Sequence, residues 1–220
     1  MTGSASPDLA ARLAKARLYV VTVAAHGPAQ LLDVVRAACT GGADLVQLRR
    51  KGDDGLETLR LAERCRAVTA GAGVLFVVND RLDVAMAADA DGVHLGQSDL
   101  PVAAARRLWP GRIVGRSTHT VEQALQAERE GADYIGVGPV HATPTKPGRP
   151  AVGLEHVRAA AAQVHIPWFA IGGIDAANAA AVIAAGARRL AVVRAVCDAR
   201  DVETAARELL AAVTQAEAVA

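Results

Sequence analysis

Two aspartates carry the clearest chemical signal in the chain. Asp80, in Asn79-Asp80-Arg81, and Asp99, in Gly96-Gln97-Ser98-Asp99-Leu100, each stand just past a short apolar run. Carboxylate oxygens placed there can hold a hard divalent cation such as Mg2+; they can equally start a helix, because Asn and Asp are common N-caps. On neighbouring loops the two carboxylates could share one ion. Ahead of them, Gln47-Leu48-Arg49-Arg50-Lys51 ends another apolar run. Alternation along an extended chain sends Gln47 and Arg49 to one side, and Lys51 follows in the loop, so an amide and two cations can converge on an anion. Cations beside a carboxylate-held metal suit a pyrophosphate, since the metal bridges carboxylate to phosphate and neutralises charge on the departing oxygens.

The second half of the chain offers a different anion site. Gly115-Arg116-Ser117-Thr118-His119 supplies hydroxyls and an imidazole, with plain N-capping by Thr118 or Thr120 as the alternative role. Gly136-Val137-Gly138-Pro139 leads into Thr143-Pro144-Thr145-Lys146-Pro147, two hydroxyls and a lysine restrained by prolines. This Gly-x-Gly is neither a dinucleotide fingerprint nor a P-loop, but loops of such length in a compact domain are usually functional. Gly172-Gly173 and Val192-Val193-Arg194 end two further runs. Glycines let an anion approach backbone N–H groups, which suits a monophosphate. His94, inside Gly92-Val93-His94-Leu95, reads as a satisfied core histidine. The combined chemistry joins a monophosphate to a pyrophosphate ester with loss of pyrophosphate.

These groups need a scaffold that gathers loop after loop at one end. Eight β-branched, mostly continuous apolar runs, at 18–23, 44–49, 74–79, 92–96, 112–118, 133–140, 167–173 and 189–196, read as parallel strands covered on both faces. Between them, segments 29–40, 55–70, 121–130, 154–164, 176–185 and 202–213 are rich in Ala, Leu, Arg and Glu and favour helix. Glycines 42, 71, 131 and 186 follow such segments, where the left-handed conformation closes a helix. The pattern predicts the α/β class and a single-domain (β/α)8 TIM barrel over residues 18–215, preceded by an N-terminal segment 1–17. A doubly wound open sheet is the runner-up. In a barrel the chemistry sits where strands end and helices begin, which is where the residues above stand.

Composition limits the partners. The 220 residues carry 24 Lys+Arg against 23 Asp+Glu, a net charge of +1, and only six aromatic residues, scattered along the chain. No nucleic-acid partner is expected without a basic field or a stacking platform, and no apolar run approaches the roughly 18 residues of a membrane span. Three cysteines without CxxC or Cys/His spacing, and a first apolar stretch that suits a strand better than a signal peptide, point to a cytoplasmic protein. Helix faces rich in Ala and Val could bury against a second copy as a homo-oligomer.

Taken in order, Gln47-Leu48-Arg49-x-Lys51, Asn79-Asp80-Arg81, Asp91-Gly92-Val93-His94-Leu95-Gly96-Gln97-x-Asp99, Gly115-x-Ser117-Thr118-His119, Gly138-Pro139-Val140-x-x-Thr143-Pro144-Thr145-Lys146 and Ile171-Gly172-Gly173-Ile174 closely resemble thiamine phosphate synthases. The likeness runs from about residue 18 to 196. It implies condensation of hydroxymethylpyrimidine diphosphate with thiazole phosphate, or its carboxylated form. Pyrophosphate leaves first, and the thiazole nitrogen captures the pyrimidinylmethyl cation. Carried over by motif, Asp80 and Asp99 would bind Mg2+. Gln47, Leu48, Arg49, Arg50, Lys51, Asn79, Ser117 and Lys146 would hold the pyrimidine diphosphate, with Arg49, Lys51, Ser117 and Lys146 catalytic. Thr143, Pro144, Thr145, Gly173, Val193 and Arg194 would hold the thiazole phosphate. Two positions depart from the family: Arg50 stands where Glu is common and Arg194 where Ser is common. The resemblance leaves two alternatives, a thiazole tautomerase on the same barrel with His119 as proton carrier, and a barrel that binds thiazole phosphate without turnover. Closure of residues 141–150 would shield the cation from water.

Overall fold

Every strand of the protein is short, and nearly every strand residue is buried. The computed structural model describes residues 4–23, 25–50, 54–143 and 150–218. Among these, eight strands form: β1 (Leu18–Val21), β2 (Leu45–Leu48), β3 (Leu75–Asn79), β4 (Gly92–Leu95), β5 (Ile113–Thr118), β6 (Tyr134–Val137), β7 (Trp168–Ile171) and β8 (Leu190–Val192). Each pairs in parallel with its sequence neighbour, and β8 pairs with β1 through Leu18↔Leu190 and Val20↔Val192, closing the barrel. The expected (β/α)8 barrel is the fold.

The missing polar alternation has a simple cause: both faces of each strand are covered. Val20, Val46, Phe76, Val93, Val114, Ile135 and Val192 belong to the layer under the helices. Tyr19, Leu45, Leu75, Ile113, Tyr134, Phe169 and Ala191 form a second cluster in the barrel interior. Helices α2 (Pro28–Thr40), α3 (Gly55–Gly71), α4 (Leu82–Ala87), α5 (Val102–Leu108), α6 (Val121–Arg129), α7 (Gly153–Gln163), α8 (Ala179–Ala184) and α10 (Val202–Ala218) surround it. Among the described residues, no helix is long and apolar enough to cross a membrane.

Several expected strands stop early, and in three of them a local reason is plain. The run at 189–196 is β8 only to Val192, and Arg194–Cys197 turns into a short helix, α9. The run at 133–140 ends at Val137, ahead of Gly138-Pro139, where proline has no N–H for the ladder. The run at 167–173 ends at Ile171 because Gly172 and Gly173 take φ of 108° and 62°, outside the extended region.

The residues ahead of the barrel also have structure. Helix α1 (Pro7–Lys15) buries Leu9 and Leu13, and both belong to the interior cluster with Leu45, Leu75 and Ile113. The helix therefore covers the N-terminal end of the barrel. Aspartates fix the same end: the backbone N–H groups of Leu18, Phe76 and Val114 donate to Asp44, Asp91 and Asp133 respectively, at 2.9, 2.8 and 2.7 Å. These carboxylates tie β1, β3 and β5 to the start of the strand that follows each and leave the opposite end open for chemistry.

Candidate active site

Loop geometry decides which polar groups reach the open end. Gln47 and Arg49 both line the cavity there, as alternation requires. The Arg49 backbone N–H donates to Thr22 Oγ1 at 3.0 Å, anchoring the turn to the β1 loop. Burial lowers the guanidinium pKa, and the nearby Asp80 carboxylate acts in the opposite direction. Asn79, the last residue of β3, lines the same cavity.

Neither carboxylate caps a helix. The N-cap of α4 is Arg81 and that of α5 is Pro101, both without a side-chain cap bond. Asp80 takes φ 61°, a left-handed conformation that Asn and Asp tolerate better than other side chains, and its N–H donates to the His94 carbonyl at 2.8 Å. Asp99 folds back so that its Oδ2 accepts the Gly96 N–H at 2.6 Å. A Cβ at Gly96 would lie 2.9 Å from that oxygen, so glycine makes room for it. The two aspartates follow the adjacent strands β3 and β4. Among the described residues, no group of three or more His, Cys, Asp or Glu converges. Two hard oxygen donors without a closed cage suit Mg2+, which usually takes one or two carboxylates and fills its remaining positions with water and substrate phosphate.

The hydroxyls after β5 divide their roles. Thr118 Oγ1 donates to the Gly136 carbonyl at 3.0 Å, and Thr120 Oγ1 accepts the Gln123 N–H at 3.2 Å as the cap of α6. Ser117 faces the cavity, with His119, whose Nδ1 donates to the Gly138 carbonyl at 2.6 Å. A second pocket adjoins the first, lined by Gly173, Ile174, Asp175, Val192, Arg194 and Ala195. It shares Thr143, Gly172, Ala191 and Val193 with the first. At Gly173 a Cβ would sit 2.7 Å from His141 Cβ, so only glycine fits that turn. Arg194 Nε lies 3.5 Å from Asp198 Oδ2, and the other oxygen of Asp198 lies 3.0 Å from His26 Nε2.

Residues 18–196 match the family model described as thiamine monophosphate synthase. The chain belongs to this family. It is 55% identical over 195 residues to a thiamine-phosphate synthase of Gloeobacter violaceus, covering 88% of this chain and 56% of that protein. It therefore spans little more than half the length of that relative. A thiamine-phosphate synthase of Thermus thermophilus is 53% identical over 196 residues, which cover 88% of this chain and 95% of that one. Among solved structures, a thiamine phosphate pyrophosphorylase from Pyrococcus furiosus superimposes with a TM-score of 0.85 at 38% identity, covering 94% of this chain and 98% of that one.

Two of the residues expected at the mouth point elsewhere. Leu48 packs in the layer between barrel and helices, on the face of β2 opposite Gln47. Arg50 donates from Nη1 to the His26 carbonyl at 2.8 Å, toward the connection between β1 and α2. Lys51, Pro144, Thr145 and Lys146, and most of the loop 141–150, lie outside the described residues.

Sequence reasoning missed the floor of the cavity. Gln47 Nε2 donates to Tyr19 Oη, which lies 3.0 Å from Tyr134 Oη. Tyr134 Oη is 3.0 Å from His94 Nδ1, and His94 Nε2 is 2.9 Å from Ser117 Oγ. Burial raises the pKa of both tyrosines, so their hydroxyls stay protonated. The available signal was the pleat: with Gln47 and Ser117 facing inward, the register places Tyr19, His94 and Tyr134 on the same inner face.

Proposed function

We propose that the protein condenses 4-amino-2-methyl-5-hydroxymethylpyrimidine diphosphate with thiazole phosphate, giving thiamine monophosphate and pyrophosphate, or with its carboxylated form, which then also releases CO2. That makes it a transferase acting on small phosphorylated substrates. The bond between the pyrimidine methylene and the diphosphate oxygen breaks, with the electron pair leaving on pyrophosphate. The thiazole nitrogen then donates its lone pair to the methylene carbon.

One observation carries this reading: two pockets open side by side at the barrel mouth and share Thr143, Gly172, Ala191 and Val193. Two bound substrates would thus meet across a common wall. Cationic Arg49, with Lys51 and Lys146, stabilises charge as it develops on the departing pyrophosphate. Gln47 and Asn79 orient the pyrimidine diphosphate, and Ser117 donates to it. Asp80 and Asp99 would hold Mg2+, which neutralises pyrophosphate oxygens when bound. Thr143, Gly173, Val193 and Arg194, with Pro144 and Thr145, receive the thiazole phosphate. At Arg194 a guanidinium replaces the hydroxyl common in the family and can pair with phosphate directly. Three free cysteines support a cytoplasmic setting.

Purified protein given both substrates and Mg2+ is expected to release thiamine monophosphate and pyrophosphate in equal amounts. Absence of product with Mg2+ present overturns the proposal, and isomerisation of the carboxylated thiazole phosphate on its own would point to the tautomerase instead.

A further inference from the structure

We propose that Tyr19, Tyr134 and His94 are positioning residues. They form a one-way hydrogen-bond chain that fixes Ser117 Oγ as a donor toward the leaving diphosphate. The inference rests on the condensation proposed above and concerns residues to which that reaction assigns no role.

The chain crosses five strands. It runs from Gln47 on β2 to Tyr19 on β1, Tyr134 on β6, His94 on β4 and Ser117 on β5. Its direction follows from the chemistry of its first member. The Gln47 nitrogen facing Tyr19 has only hydrogens to give. Tyr19 accepts there and gives its single hydrogen to Tyr134, which gives its own to His94 Nδ1. An imidazole that accepts at Nδ1 carries its hydrogen on Nε2, so His94 donates to Ser117 Oγ. The Ser117 hydrogen then has no use at His94 and is left for the cavity that the residue lines. With the opposite polarity, Tyr19 would accept from both Gln47 and Tyr134, and its own buried hydrogen would have no acceptor within the chain.

The surroundings fit this arrangement. A Cβ at Gly115 would lie 2.2 Å from Tyr134 Cζ and 2.6 Å from its Oη, so β5 must carry glycine there for the phenol to lie across it. Tyr19 and Phe169 meet the Tyr134 ring edge to face, with centroids 5.8 and 5.7 Å away, and fix its plane. All four members from Tyr19 to Ser117 are buried. A buried hydroxyl held to one orientation donates without reorganising as charge develops, whereas a freely turning one can present a lone pair to the anion.

Steady-state kinetics of the full chain, with both substrates and Mg2+, tests this with a set of single and double variants. Removing one preorganised donor from a developing oxyanion typically costs about 100-fold or more in rate, so Ser117→Ala is expected to lower kcat by at least about tenfold. His94→Leu, which deletes both nitrogens, is expected to lower kcat similarly, with KM for the pyrimidine diphosphate within about threefold of the parent. The double variant should then be no slower than Ser117→Ala alone, since both changes remove one interaction. His94→Gln, whose amide carries one acceptor and one donor, should recover about tenfold over His94→Leu. Tyr134→Phe removes a single oxygen and keeps the ring, so it repeats the cycle with Ser117→Ala if His94→Leu does not fold. Additive losses, or no recovery by His94→Gln, overturn the inference while the parent still makes product. A parent without product fails the reaction itself.

Discussion

At Asp80 the backbone and the charge can be tested separately. Its φ of 61° suits Asp or Asn, so Asp80→Asn keeps the backbone and removes only the charge. Turnover at saturating Mg2+ is expected to fall about 100-fold or more, while the melting temperature moves by less than about 4 °C, the shift expected of roughly 1 kcal/mol. An Mg2+ titration of activity beside a thermal melt checks both halves. Gly115→Ala tests the opposite case, a small change with a steric cause. The new Cβ would displace the Tyr134 ring, and overpacking of this kind costs roughly 1–3 kcal/mol. A lowered urea midpoint together with a lowered kcat is expected, since the ring that must move also carries the hydroxyl next to His94. Residues of the first kind were legible in the sequence because a charge directly after an apolar run marks the open end of a strand, where a barrel keeps its chemistry. Tyr19 and Tyr134 were not, because an aromatic ring inside an apolar run looks like core. Here it is both, with the ring packed against Phe169 and the oxygen bonded to polar neighbours.

Secondary elements were legible where they repeat and obscure where they are brief. The eight strands stood out because burial on both faces removes polar positions. Helices α4 and α5, with six and seven residues, are too short to display a helical period. Helix α9 reads as strand because Arg194-Ala195-Val196 continues an apolar run, yet the chain turns at Val193 with φ −121° and ψ −91°. Helix α1 was hidden in a segment without an apolar run, because only Leu9 and Leu13 of its nine residues are buried side chains. It lies at the end of the barrel away from the mouth, and conserving that end is a matter of stability rather than of chemistry. Leu13→Ala is therefore expected to cost about 2–5 kcal/mol, read as a lowered urea midpoint, with kcat and both KM values within about twofold of the parent. A large change in KM with little loss of stability would show that α1 acts on the site.

Over the whole molecule, a net charge of +1 hides opposite local arrangements. Asp44, Asp91 and Asp133 receive backbone N–H groups at one end of the barrel, while Arg49, Asp80 and Asp99 stand at the other. Composition argued against a polyanionic partner, but it could not show two adjoining pockets at the barrel mouth. The buried thiols couple this architecture to pH. Burial pushes Cys65 and Cys197 from 9.0 to about 12, so the fold favours the neutral thiol. The unfolded chain ionises first as pH rises. The thiols' contribution is therefore complete below pH 9 and is lost between pH 9 and about 12, at about 1.4 kcal/mol per pH unit for each thiol. Tyr19 and Tyr134, also raised by burial from 10.0, add to the decline above pH 10. Two thiols alone would remove on the order of 5 kcal/mol by pH 11, comparable to the whole stability of many domains. The urea midpoint is expected to stay level from pH 7.5 to 9 and then fall steeply, more shallowly in a Cys65→Ala, Cys197→Ala double variant. A midpoint unchanged to pH 11 in the parent would mean that these thiols ionise in the folded protein as readily as in the unfolded chain.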